Sequence, residues 1–195
     1  MTNKIQEANL AMVVSKTFSG LNVNALRYLL PLWIAPLTGV TFRCVFAAVA
    51  FWIIGYWAKQ ETASVKDKIY LFLLGAVGIY GYMFSYLMGL SKTTPVSAAI
   101  FTSMQPIWVF MLSVFFFNEK ATVMKIVGIL VGLGGALLCI STQKSDDLAS
   151  DAFYGNLFCL VSSVIYAVYL ILSNRFLKRT GPYTFMRYTF SGAAV

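Results

Sequence analysis

Long apolar runs alternate with short polar gaps along this chain. The runs are Leu10–Leu30, Trp33–Trp57, Ile69–Leu90, Pro95–Phe117, Val123–Ser141 and Phe153–Leu172. Each is near the roughly 20 residues of helix that cross about 30 Å of hydrocarbon. The seven acidic residues, Glu7, Glu61, Asp67, Glu119, Asp146, Asp147 and Asp151, all fall in the gaps. Only a membrane imposes that sorting, so the pattern predicts six complete transmembrane helices. A further run begins at Pro182 and Tyr183 and reaches Val195. It makes about 20 Å of helix, too little to span, and so predicts a truncated seventh helix completed by further spans.

The basic residues orient the bundle, because Lys and Arg in short loops are retained on the cytoplasmic side. One set of alternate gaps holds nine: Lys4, then Lys59, Lys66 and Lys68, then Lys120 and Lys125, then Arg175, Lys178 and Arg179. The other set holds Arg27, Lys92 and Lys144. The amino terminus is therefore expected in the cytoplasm.

Composition narrows the class. With 59% hydrophobic residues, 11% charged residues and a mean hydropathy of +0.75, the chain lies outside the range of soluble domains. The net charge of +8 is dispersed among membrane-flanking gaps and forms no single patch, so nucleic acid is not an expected partner. The first run is too long for a signal-peptide core and no clear cleavage site follows it. Cys44, Cys139 and Cys159 stand singly inside apolar runs, without the spacing of a zinc site or redox dithiol. There is no histidine, so the commonest general base and metal ligand is missing. No metal or cofactor is expected.

The chain also resembles itself. Asn9-Leu10 and Asn156-Leu157 open similar stretches, with Ser15 matching Ser162, and Phe42-Arg43-Cys44-Val45-Phe46 resembles Met186-Arg187-Tyr188-Thr189-Phe190. The expected organisation is a first repeat of five helices over residues 1–145 and the start of a second over 152–195. An odd number of spans forces the second copy upside down in the membrane, the inverted-repeat arrangement of many secondary transporters.

The first and sixth spans carry matching polar stripes, Ser15, Ser19 and Asn22 in one and Ser162, Tyr166 and Tyr169 in the other. Two readings stay open: hydrogen bonding between packed helices, or two facing walls of a pathway. Lys16, Arg43 and Arg187 are the charged side chains inside apolar runs. Such residues tend to face a bundle interior or an aqueous cavity; Lys16 is also near enough to its helix end to snorkel. For Arg43 a pathway role, a cap on helix-end carbonyls and snorkelling are all open. Gly75, Gly78, Tyr82, Ser85 and Gly89 share one face of the third span. Gln105-Pro106 breaks the fourth, because proline lacks the backbone donor, and that break fits a packing kink or a substrate contact. In the fifth span Gly128 and Gly132 make a close-packing pair. Trp33, Trp57 and Tyr70 read as interfacial anchors.

Several of these segments together resemble the EamA-type transporters of the drug/metabolite transporter superfamily. They are Gly89-Leu-Ser-Lys-Thr-Thr-Pro-Val-Ser-Ala-Ala, Gln105-Pro106, Phe117-Asn118-Glu119-Lys120 and the glycine-rich Lys125–Gly135. The resemblance covers about residues 8 to 195. It implies an all-α polytopic bundle of ten spans in two inverted five-helix repeats, around a central cavity shaped mainly by spans one, three, four and their counterparts. It also implies transport of small metabolites. The family's frequent Trp-Gly early in the first span is here Val14-Ser15-Lys16, a departure at the cargo-facing helix. The leading expectation is a secondary active exporter of amino acids or related carboxylate-bearing solutes in a bacterial inner membrane. Its expected partners are membrane lipid, a small-molecule substrate, the remaining spans of the second repeat and a second copy of the chain. The alternatives are a non-transporting membrane subunit and a membrane-embedded enzyme. The enzyme reading lacks a histidine or intramembrane acid to activate any span serine.

The charge asymmetry makes the orientation testable. In a cysteine-free background, a single cysteine at position 146 is expected to react with a membrane-impermeant reagent applied from outside, and one at position 66 is not; the reverse pattern would invert the assignment.

Overall fold

The computed structural model describes residues 2–30, 32–57, 63–117, 122–142 and 151–195. Glu61, Glu119, Asp146, Asp147, Lys59, Lys120 and Lys144 lie outside the described residues. Of Lys4 and Cys139 only the backbone is described. The described elements are α1 (Thr2–Leu29), α2 (Pro36–Trp57), α3 (Val65–Leu74), a π-helical segment (Gly75–Ile79), α4 (Tyr80–Lys92), α5 (Pro95–Ser103), α6 (Gln105–Phe117), α7 (Val123–Thr142), α8 (Ala152–Thr180) and α9 (Pro182–Ala193). The fold is a polytopic bundle of helices, with no strand among the described residues.

Among the described residues four helices, rather than the six spans expected, are long and apolar enough to cross a membrane: Pro36–Trp57, Val65–Lys92, Pro95–Phe116 and Ala152–Thr180. The third of these runs through α5 and α6 and the second through α3, the π segment and α4. α7 is a shorter apolar helix over Val123–Ala136. α1 has the length, at 28 residues, but Ser15, Lys16, Thr17, Ser19, Asn22, Asn24 and Arg27 make it more polar than the rest. The protein is an integral, multi-pass membrane protein.

The core is where the third span meets α8. Leu71, Leu87, Leu90, Cys44, Cys159, Tyr169 and Phe185 belong to its buried cluster. Glycine sets the approach. A methyl group on Gly89 would lie 2.5 Å from Cys159 Sγ, and one on Gly78 2.9 Å from the Tyr169 ring. On Gly75 it would overlap the carbonyl oxygen of Thr189, and on Gly192 that of Phe72. The third span and α9 are thus in backbone-to-backbone contact, as small residues permit in membranes. The glycine face expected in the third span is therefore used as a packing face. The π segment within it was not legible as a period in the sequence; it adds a residue to the turn and shifts the face of everything after it.

Both ends of α8 are tied to the third span. At one end Lys92 Nζ pairs with Asp151 Oδ2 at 3.3 Å, and Thr93 Oγ1 donates to Asn156 Oδ1 at 2.6 Å. At the other, Arg179 pairs with Asp67 at 3.3 Å, the Asp67 side chain being only 10% exposed. Each pair joins two gaps that the charge pattern places on the same side of the membrane. The end that holds Lys66, Lys68, Arg175, Lys178 and Arg179 is called the basic end below.

Other expectations fare differently. Trp33 and Trp57 are exposed at helix ends, as anchors should be, whereas Tyr70 stacks on Phe176 with ring centroids 4.8 Å apart. Gly132 faces Ile107 Cδ1 at 3.7 Å, but nothing approaches Gly128 within 4 Å; the glycine pair of α7 is not a tight joint here. Cys44 and Cys159 are buried packing residues, with Cys44 Sγ 3.7 Å from Met83 Sδ.

The glycine contacts predict a local difference in tolerance. Gly75→Ala should lower the thermal midpoint of the purified protein in detergent, at a cost of about 1–3 kcal/mol for forcing backbone apart. Gly81→Ala, whose new methyl would find its nearest neighbour at 4.0 Å, should leave the midpoint unchanged or slightly raised.

Candidate functional site

The fourth span breaks where the sequence predicts. The turn tightens at Met104, whose N–H is shared between the carbonyls of Ile100 and Phe101 at 3.2 Å each, and Pro106 has no N–H to contribute. Ahead of the break the hydroxyls of Thr102 and Ser103 return to their own helix, donating to Ala98 O at 2.8 Å and to Ala99 O at 2.9 Å. Gln105 opens the second half-helix and is half-buried. Thr94 starts the first half, accepting from the Ser97 N–H at 3.2 Å with Pro95 behind it, a capped start in the sense that fixes helix direction.

Gln105 lies beside the hydroxyl of Tyr82. The Tyr82 ring is 4.6 Å from that of Tyr166 and 6.2 Å from that of Tyr86. Tyr166 continues to Tyr169 at 6.0 Å, and Tyr169 to Phe185 at 6.3 Å. Arg43 is half-buried and acts electrostatically on both Tyr82 and Tyr86. Of the residues that the sequence singled out, Tyr82, Gln105, Tyr166 and Tyr169 therefore belong to one cluster, built from α4, the α5–α6 break and α8, with Arg43 of α2 within electrostatic range of it.

A cavity of about 800 Å³ opens beside this cluster, between α6 and α8. A second volume of about 550 Å³ runs from Gln105 and Pro106 and shares Val109, Ser113, Leu170 and Asn174 with the first. The two form one passage from the helix break to a rim that includes Arg175 and Lys178. Its walls are regular: Gln105, Val109 and Ser113 on α6 and Leu170 and Asn174 on α8 recur every four residues and so share a helix face, the face that Tyr166 begins one turn earlier on α8. Asn174 and Ser113 were missed in the sequence, where Asn174 falls in the gap that follows the run ending at Leu172. The i, i+4, i+8 continuation of Gln105 and of Tyr166 is the signal that finds both.

The remaining candidates are elsewhere. Ser15, Lys16, Ser19 and Asn22 are all exposed on α1, and α1 touches the bundle mainly at α5. The stripe of α8 does not look toward α1. Ser162 is buried and donates to Cys159 O at 2.7 Å, Tyr166 packs on Tyr82 and Tyr169 on Gly78. The third span occupies that face because its glycines allow an approach that the Leu and Phe side chains of α1 do not. The facing of the two stripes expected from the repeat is thus replaced by α4 against α8. Arg187 is also apart from the tyrosines: its guanidinium lies on the Trp52 ring at 4.1 Å. Arg27 takes the role of a cap, its Nη1 donating to Leu90 O at 3.2 Å and Ser91 O at 3.0 Å where the helix dipole is negative. Among the described residues no cluster of three metal-ligating side chains occurs.

Comparison with known proteins agrees with this architecture. The EamA-like transporter family matches residues 6–141. The chain is 25% identical over 181 residues to the uncharacterized transporter YyaM of Bacillus subtilis, covering 91% of this chain and 59% of that protein. It is 27% identical over 105 residues to the aromatic amino acid exporter YddG of Ancylobacter novellus, covering 53% of this chain and 37% of that one. A solved crystal structure superposes with a TM-score of 0.59 at 21% identity, covering 93% of this chain and 64% of the other, which shows the fold alone. The chain thus spans about 60% of the length of the first of these relatives.

The passage should be readable by chemistry. A cysteine placed at Ser113 or Asn174 in a cysteine-free background should react with a small hydrophilic thiol reagent faster than one at exposed Phe115, which is apolar and 80% accessible to the surroundings; equal rates would mean that the passage holds no water.

Proposed function

The chain belongs to the EamA-like transporter family, and from that premise we propose that it is a secondary active transporter exporting amino acids or related carboxylate-bearing solutes. The observation that carries this reading is the cluster of Tyr82, Tyr166 and Gln105 at the break of the fourth span, with Arg43 within electrostatic range of Tyr82. A central cation in a membrane helix is unfavourable by roughly 2.5–3.5 kcal/mol on insertion scales, and a carboxylate docking beside it offsets that cost. Gln105 and the tyrosine hydroxyls supply donors and acceptors for the rest of a polar cargo, and the ring faces supply an apolar wall. The tyrosine cluster further favours a cargo with a flat or aromatic side chain, a reading supported by the likeness to the aromatic amino acid exporter of Ancylobacter novellus.

In this reading solute enters from the basic end, where Arg175 and Lys178 attract anions and Asn174 and Ser113 line the way to Gln105. That end is cytoplasmic on the Lys and Arg asymmetry, the membrane is a bacterial inner membrane, and the direction is outward. Residues 1–145 act as one five-helix repeat and 152–195 as the start of its inverted partner. No step of covalent chemistry is assigned to the protein, because the cluster pairs no nucleophile with a base.

Kinetics separate the roles. Removing one charge-assisted hydrogen bond costs about 1.5–3 kcal/mol, which corresponds to roughly ten- to hundredfold in affinity. Arg43→Gln should therefore raise KM for a carboxylate cargo by about that factor in the whole transporter, with Arg43→Lys recovering part of it. Uptake into inverted vesicles measures both. An unchanged KM in Arg43→Gln would remove the carboxylate contact, and transport unaffected by Tyr166→Leu would remove the aromatic wall.

A further inference from the structure

Arg187 is a half-buried cation whose charge the described protein does not neutralise. Its Nε is buried with no hydrogen-bond partner, and the ion pairs among the described residues are Lys92–Asp151 and Asp67–Arg179, neither of which includes it. Its position is nevertheless built. The guanidinium lies 4.1 Å over the Trp52 ring, and Trp52 Nε1 donates to Ser191 Oγ at 2.9 Å, which holds the indole in place. Gly55 makes the room, since a methyl there would lie 2.5 Å from Arg187 Cδ.

A second unpaired cation belongs to the same edge. Lys68 Nζ lies 5.5 Å from the centroid of the Tyr188 ring, and Tyr188 meets Trp52 edge-on at 6.2 Å. Lys68 and Arg187 thus bracket an aromatic pair where α2, α3 and α9 come together. Their depths agree: Lys68 is three residues from the start of α3, Arg187 five from the start of α9 and Trp52 five from the end of α2. At 1.5 Å per residue all three lie about 5–8 Å inside the helix ends. That is the level of phospholipid headgroups and the first acyl carbons. Trp52 is 46% exposed and its neighbour Ile53 51%, so the edge is an apolar, open surface of the described residues.

We propose that the Arg187 guanidinium holds the phosphate of an anionic phospholipid at the basic end of the bundle, with Lys68 adding positive charge at the same level and the Trp52–Tyr188 edge packing against the acyl chain. The chemistry is that of basic pockets between membrane helices that select anionic headgroups. The inference requires only that the helices span a membrane and is independent of what the protein transports.

Native mass spectrometry of the purified chain in detergent tests it, with phosphatidylglycerol and phosphatidylcholine as probes. Phosphatidylglycerol should be retained preferentially. Lys68→Gln and Arg187→Gln should each reduce its retention by about fivefold, and Lys66→Gln, two positions away and exposed, should leave it unchanged. Gly55→Ala keeps every charge but displaces the guanidinium from Trp52, and should also reduce retention. If an arginine variant fails to fold, Lys68→Gln against Lys66→Gln decides alone. Equal retention of the two lipids, or equal loss on changing Lys66 and Lys68, would overturn the site. Competition of phosphatidylglycerol by inorganic phosphate would assign it to a free anion and overturn the lipid.

Discussion

The contact that everything else depends on is the backbone approach of the third span to α8 and α9. Within a bilayer there is no hydrophobic gain in burying one apolar helix against another, so close packing of small residues must supply the association. Gly75, Gly78, Gly89, Gly155 and Gly192 do so at five points, each next to the backbone or an inner side-chain atom of a neighbouring helix. The ion pairs at the two ends of α8 then fix its register along the third span, since a slide of one turn would separate Lys92 from Asp151 and Arg179 from Asp67. A rigid pair of helices results, and the tyrosines are mounted on it.

That rigid pair explains why the candidate site is located where it is. Tyr82 and Tyr166 meet because Gly78, one turn before Tyr82, and Gly89, two turns after it, bring the third span and α8 close. The fourth span is broken at Met104, so its second half can lean away and open the passage between α6 and α8 while the first half stays packed. Proline creates the break at Gln105, and the side chain just ahead of it is the amide that reaches Tyr82. Packing and pathway therefore use the same residues, which is why changing them for function without changing stability requires conservative substitutions.

Much of this was legible in the sequence for particular reasons. The acidic residues had no option but the gaps, so the four spans of α2, α3–α4, α5–α6 and α8 could be read directly; the glycine face of the third span and the proline of the fourth are consequences of backbone geometry, and both were visible. What was not visible is which helix fills the space against α8. A stripe repeated in two helices indicates that both are polar on one side, not that the sides meet, and the contest for Ser162, Tyr166 and Tyr169 was decided by glycine in the third span rather than by serine in the first. The π segment at Gly75–Ile79 was hidden for a related reason: its extra residue follows from the fit against Thr189 and Tyr169, contacts that are remote in the chain. Asn174 was hidden because a polar residue near a helix end reads as loop.

The cations show the same logic from the side of electrostatics. Four basic residues within or beside the apolar runs meet four different environments. Lys16 is exposed on α1; Arg27 directs its donors to the carbonyls that end α4; Arg43 is half-buried within electrostatic range of Tyr82 and Tyr86; Arg187 rests on an indole face over a glycine. Arg27 is satisfied by backbone and Lys16 is near enough to a helix end to reach polar surroundings, so neither needs a ligand. For Arg43 and Arg187 the neighbours supply dipoles and ring quadrupoles but no carboxylate, and a guanidinium held at low dielectric among such groups attracts an anion from whatever phase it faces. Arg43 lies within electrostatic range of Tyr82 and Arg187 on the Trp52 ring, so the same residue type, matched in the two sequence segments that resemble each other, meets a different surrounding in each place.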